Sequence, residues 1–252
     1  MSLFRILNRS VDIIRKDPII LAPGLFLSFI VTIGLQYLFP TLPAPEMGNL
    51  KTIMPVFLTT LGLEIFFLSF TLLMGIQLMK SDKIDFSIVK SAYLPTLFRL
   101  GGLALILTLP FVLAFDWWLY PQTLLLSKES PVMDSGILLI VLLAFFTLFS
   151  VAAVLSDIGQ VWIGGRGATV IQALKGAWNL FTTHTRSSLL IVCYSIFTKW
   201  MLIMLAIGLT GIPVIGKSVL SVGIQGIEHT LTAMILLHFL TIGVEEEKGV
   251  VV

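Results

Sequence analysis

The chain has 252 residues, 57% hydrophobic and only 12% charged, with a formal net charge of +2 and a mean hydropathy of +1.01. A soluble domain is about half apolar and a quarter charged, so this composition excludes a water-soluble domain as the bulk of the chain and indicates an integral membrane protein. Cys193 is the single cysteine, so an intrachain disulfide is excluded as well.

At the N-terminus Arg5, Arg9, Arg15 and Lys16 precede a long apolar run. That run is too long for the core of a secretory signal and lacks a small-residue cleavage site, so a retained helix is expected. Crossing the hydrocarbon takes about 20 mostly apolar residues. Six segments qualify: Ile19 to Phe39, Ile53 to Met79, Leu100 to Tyr120, Gly136 to Ser156, Ser187 to Thr210 and Val219 to Gly243. Outside them, Met1 to Pro18 and Lys80 to Arg99 hold four basic residues each, Asp157 to Arg186 holds three, and the tail holds Lys248. The alternate loops hold Lys51, Lys128 and Lys217. Basic residues favour the cytoplasmic side, so both termini are expected there. The aromatic run FDWWLYP, Phe115 to Pro121, fits the opposite headgroup belt.

A short amphipathic segment is expected before each odd-numbered span. Its apolar face carries Phe4, Leu7, Val11 and Ile14 in the first. Phe86, Val89 and Tyr93 serve in the second, and Val170, Leu174, Ala177, Trp178 and Phe181 in the third, each set at helical spacing. ILNRSVDII, IVKSAYLPT and ALKGAWNLF align in turn. The expectation is an all-α, polytopic membrane protein of six transmembrane helices, built as three parallel repeats of an interfacial helix and two spans. Within the single membrane domain, the repeats cover residues 1–80, 81–165 and 166–243, followed by a short tail, 244–252.

With these segments in view, the chain resembles small prokaryotic six-span proteins related to the membrane domain fused to some glycerophosphodiester phosphodiesterases. DIIRKDPIILAPGL (Asp12 to Leu25), SAYLPTLFRLGGLALIL (Ser91 to Leu107) and ALKGAWNLF (Ala173 to Phe181) carry the resemblance. It implies a prokaryotic cytoplasmic membrane location. The phosphodiesterase domain itself is absent from these residues, so its activity is not implied.

Charged side chains inside spans are costly and normally face protein or water. Lys199 lies in the fifth span, Glu64 in the second and Glu228 in the sixth. Each sits on a polar stripe at helical spacing: Thr60, Glu64, Thr71 and Gly75; Ser188, Ser195, Lys199, Ala206 and Thr210; Ser221, Gln225, Glu228 and Thr232. An inward polar core of Glu64, Lys199, Glu228, Gln225, Thr232, Ser195 and Thr60 is expected, with Glu228 as the first partner of Lys199. On another face of the sixth span, Gly223, Gly226, Thr230 and Ala233 form a small-residue seam for a neighbouring helix or another subunit. The loop GGRGAT, Gly164 to Thr169, offers Arg166, Gly165 and Gly167 as contacts for a phosphate or headgroup; a plain joint with a topology-setting arginine accounts for it too.

The three histidines, His184, His229 and His238, lack metal-ligand spacing, and neither a nucleophile elbow nor a P-loop is present. No metal, no cofactor and no enzymatic activity are expected, nor nucleic-acid binding, because the basic residues are thinly spread and topology explains them. Two function classes remain. The polar core transports or binds an ion, small solute or lipid headgroup, or it fastens helices in an accessory or scaffold protein. The expected partners are the lipid bilayer, with lipid headgroups, a membrane protein or a second copy of the chain as further candidates.

Overall fold

The computed structural model describes residues 3–31, 50–114, 135–185 and 214–247, together with Ser188, Leu190, Cys193, Tyr194 and Phe197. Its elements are α1 (Leu3–Lys16), a 3₁₀ turn (Pro18–Leu21), α2 (Ala22–Phe29), α3 (Leu50–Ser81), α4 (Phe86–Ala114), α5 (Ser135–Arg166), α6 (Val170–Thr183) and α7 (Val214–Glu247). The described elements are thus all helices, and three stretches are long and apolar enough to cross a membrane: Leu58–Ser81, Phe86–Ala114 and Leu143–Arg166. Pro18–Phe29 is apolar but shorter. Although α7 spans 34 residues, Gln225, Glu228, His229 and His238 lower its hydropathy.

Local chemistry sets the boundaries. Arg15 and Lys16 close α1, where cations suit the negative helix end. Asp17 then accepts from the Ile19 amide at 3.2 Å, with Pro18 at the first position of the 3₁₀ turn. At the end of α3 the Asp82 amide donates to the Leu78 carbonyl at 3.2 Å, and Asp82 itself is left-handed at φ 55°. Aspartate is among the few side chains that visit this region. Three residues later Asp85 accepts from the Ser87 amide at 2.8 Å and the Ser87 hydroxyl at 2.6 Å, starting α4. The Ser87 hydroxyl, then its amide, hold the Asp85 carboxyl below the usual carboxylate range.

Three differences from the sequence expectation stand out. First, α4 runs unbroken through Pro95 and Pro110, so the second amphipathic segment continues into the span rather than forming a separate helix. Proline is tolerated in such helices where neighbours and local adjustments accommodate it. Second, α5 continues to Arg166, which places Asp157 and Gln160 within a candidate span rather than in a loop. Third, the buried positions coincide only in part with the expected apolar faces: Val89 and Ala177 belong to them, whereas Ile6, Ser10, Ala173 and Leu180 do not. Ile6 and Ser10 are the buried positions of α1, Ala173, Ala177 and Leu180 those of α6, and Val89 that of the α4 start. Phe86 and Trp178 point outward, each 56% exposed.

The core is shared by α3, α4, α5 and the second half of α7, through Leu72, Leu100, Leu103, Ile163, Met234, Ile235 and Leu237. Helix α4 packs against α3 and α5, α6 folds back on α5, and α7 packs on α1, α2, α3 and α5. The outer surface bears exposed Phe29, Leu94, Phe98, Ile106, Ile140, Leu143 and Leu148. So much outward apolar area marks contact with lipid.

Candidate intramembrane polar site

On α3, Thr60 is half-buried and Glu64 exposed; on α7, Gln225, Glu228 and Thr232 are half-buried. The Thr232 hydroxyl donates to Glu228 Oε1 at 3.1 Å, one turn along the same helix, so a neighbouring donor already holds this carboxylate oxygen. Ser195 and Lys199 lie outside the described residues, as do the side chains of most of the expected fifth span.

The remainder of the α3 stripe is enclosed. Thr71 is fully buried and donates to the Phe67 carbonyl at 3.1 Å, while Gly75 faces the Met234 side chain and Leu237 of α7. The neighbouring Ser69 hydroxyl donates to the Ile65 carbonyl at 2.7 Å. These hydroxyls are satisfied by their own helix and need neither water nor a ligand.

The expected small-residue seam has an occupant within the chain. A Cβ on Gly24 of α2 would lie 2.5 Å from the Gly226 carbonyl oxygen and 2.8 Å from Thr230 Oγ1. A Cβ on Gly226 would lie 2.8 Å from Leu25 Cα. Backbone meets backbone here, as small residues permit, and Thr230 turns its hydroxyl back to the Gly226 carbonyl at 3.1 Å. Ala233 is buried further along, whereas a Cβ on Gly223 would meet no other helix within 4 Å among the described residues.

The loop at residues 164–169 is a closed corner. Arg166 ends α5, and Gly167 takes φ +63° with its amide donating to the Ile163 carbonyl at 2.9 Å, an αL helix cap. Thr169 and Gln172 form a capping box, the Thr169 amide donating to Gln172 Oε1 at 3.0 Å and the Gln172 amide to Thr169 Oγ1 at 3.4 Å. Arg99 of α4 donates to the Gly167 carbonyl, and the Arg166 guanidinium sits 4.3 Å from the centre of the Trp162 ring. Gly165 is half-buried behind them.

Two tethers are not legible in the sequence. Ser10 of α1 and His238 of α7 meet at 3.2 Å through Oγ and Nδ1. Ser10 Oγ donates to the Ile6 carbonyl at 2.9 Å, and Nδ1 lies 2.9 Å from the Met234 carbonyl. Both carbonyls are acceptors only, so the pattern requires the proton on Nδ1. The second tether joins Lys16 to Asp82 at 2.8 Å on the exposed surface. The hydrogen bond to Asp82, then its charge, raise the Lys16 ammonium above its ordinary value. No group of three or more His, Cys, Asp or Glu side chains able to hold a metal occurs among the described residues.

No family model, curated protein or solved structure matches the chain.

Proposed function

We propose that the chain is a non-enzymatic six-span protein of the prokaryotic cytoplasmic membrane, with three parallel repeats and both termini cytoplasmic. It binds or moves an ion, a small solute or a lipid headgroup along a polar face carrying Glu64, Gln225, Glu228 and Thr232, with Lys199 as the proposed partner of Glu228. The observation that supports this reading is the contrast within α7. Ala233 to Phe239 are buried without interruption, while Gln225, Glu228 and Thr232 remain half-open. Ionisable groups kept at membrane depth usually face a pathway or an internal partner. The kinship with the membrane domain of glycerophosphodiester phosphodiesterases belongs to the same proposal and rests on the three sequence segments.

The scaffold reading is favoured by a different observation: Thr71, Gly75, Gly226 and Thr230 are consumed by helix packing within one chain. Single cysteines at positions 64, 225, 228 and 232, placed in a Cys193→Ser background, separate the two. Labelling by a membrane-impermeant thiol reagent through to position 228 is expected of a hydrated binding face. Protection at all four positions would overturn it in favour of the scaffold. For the ion pair, Lys199→Leu alone is expected to destabilise the protein more than Lys199→Leu with Glu228→Leu, because the single change strands a carboxylate. Equal losses in thermal unfolding would break that pairing.

A further inference from the structure

The corner joining α4, α5 and α6 stands apart from the polar stripes and carries a different chemistry. Arg99 and Arg166 converge on it from two helices, one on the Gly167 carbonyl and the other over Trp162. Lys175 is exposed on α6. Residues 164–183 contain two basic side chains and no acidic one. Among the described residues neither guanidinium has a carboxylate within ion-pair distance. A guanidinium has five N–H donors, so the bond from Arg99 to Gly167 leaves most of its donors for another acceptor. Three of the corner's amides, those of Gly167, Thr169 and Gln172, are already bonded inside the two caps. The charged donors here are the guanidinium groups of Arg99 and Arg166.

On α6, which starts at the corner, exposed apolar side chains flank Lys175. Ile171 is 67% and Trp178 56% exposed, and with Lys175 they follow one another at spacings of four and three along one outward face of α6. A soluble anion has no use for that flank, whereas a lipid brings acyl chains to it. Basic pockets between membrane helices recognise anionic headgroups, and planar guanidinium forks match phosphate oxygens.

We propose that this corner seats the phosphate of an anionic glycerophospholipid of the surrounding bilayer, with Arg99 and Arg166 on the phosphate and Ile171 and Trp178 against the chains. The site shares no residue with the intramembrane stripe, so either reading can fail without the other.

The test reconstitutes the full chain in mixed vesicles of phosphatidylcholine and phosphatidylglycerol, with brominated chains on one lipid or the other. Quenching of tryptophan fluorescence gives the lipid preference. A preference for phosphatidylglycerol is expected, falling roughly fivefold for each guanidinium removed by Arg99→Gln or Arg166→Gln. Lys90→Gln, an exposed charge elsewhere on α4, is expected to leave it intact. Should Arg99→Gln fail to fold by circular dichroism, Arg166→Gln carries the test, because among the described residues its side chain is held by the Trp162 ring rather than by a hydrogen bond. A double variant that keeps the preference overturns the proposal. So does an equal loss in Lys90→Gln, which would mean diffuse surface charge. Loss of the preference in inorganic phosphate, but not in chloride of equal ionic strength, would make a soluble anion the occupant and overturn it too.

Discussion

Helix α7 is approached closely through glycines at two crossings, which differ in what the glycines face. At Gly24 the opposing atoms are the Gly226 carbonyl and the Thr230 hydroxyl, and at Gly226 they are the backbone of Leu25. At Gly75 they are the far end of Met234 and a methyl of Leu237. The second approach is the tighter by distance, but thioether side chains re-pack readily. A carbonyl in a helix cannot move without its helix. The crossing of α2 and α7 is therefore a fixed joint, and that of α3 and α7 an adaptable one.

The comparison is broken or sharpened by alanine. Gly24→Ala or Gly226→Ala must push one backbone away from another, and either is expected to cost at least about 3 kcal/mol, the upper end for overpacking, or to prevent folding. Denaturant-induced loss of helix in detergent measures it, and a cost no larger than at Gly75 would abolish the distinction. Gly75→Ala is expected to cost less than about 1.5 kcal/mol, as Met234 swings aside. Gly101→Ala, with no atom within 4 Å of the added carbon, is expected to be neutral or to gain up to about 1 kcal/mol from helix propensity.

The smallest effects lie at the exposed ends of the helices and are read by pH. The Asp85 carboxyl is lowered in the folded state, so its contribution is present above the ordinary value of 3.8 and disappears as pH falls through the folded value. Lys16 is raised, so its contribution is complete below 10.5 and disappears as pH rises through the folded value. Proteolysis at the turn between α3 and α4 should accordingly quicken in acid for the native chain and change less with pH in Asp85→Asn. Release of α1 should rise in strong alkali for the native chain, whereas in Lys16→Gln it should be greater from the outset and independent of alkali, and high salt should mimic that substitution.

Helical class, the long apolar stretches of α3, α4 and α5, and the amphipathic character of α1 are legible in the sequence because each follows from local periodicity. The faces are less so. Trp178 and Phe86 satisfy the apolar spacing of their segments yet point outward, since a helix beside lipid has reason to be apolar on both sides. The seam on α7 is legible as small residues, but its occupant, α2, is not, because nothing near Gly226 encodes a partner some two hundred residues away. A charge ends the apolar run at Asp157 and so points to a loop there, whereas the α5 backbone continues past Asp157 and Gln160 to Arg166.

The contact of Ser10 with His238 joins residues 228 apart, and it has a consequence in time. At about 5 to 20 residues per second, synthesis of the intervening chain takes roughly 10 to 50 seconds. Throughout that interval α1 and α2 exist without the helix that receives them, their Gly24 surface open to whatever else is in the membrane. A segment made early is thus among the last to find its place.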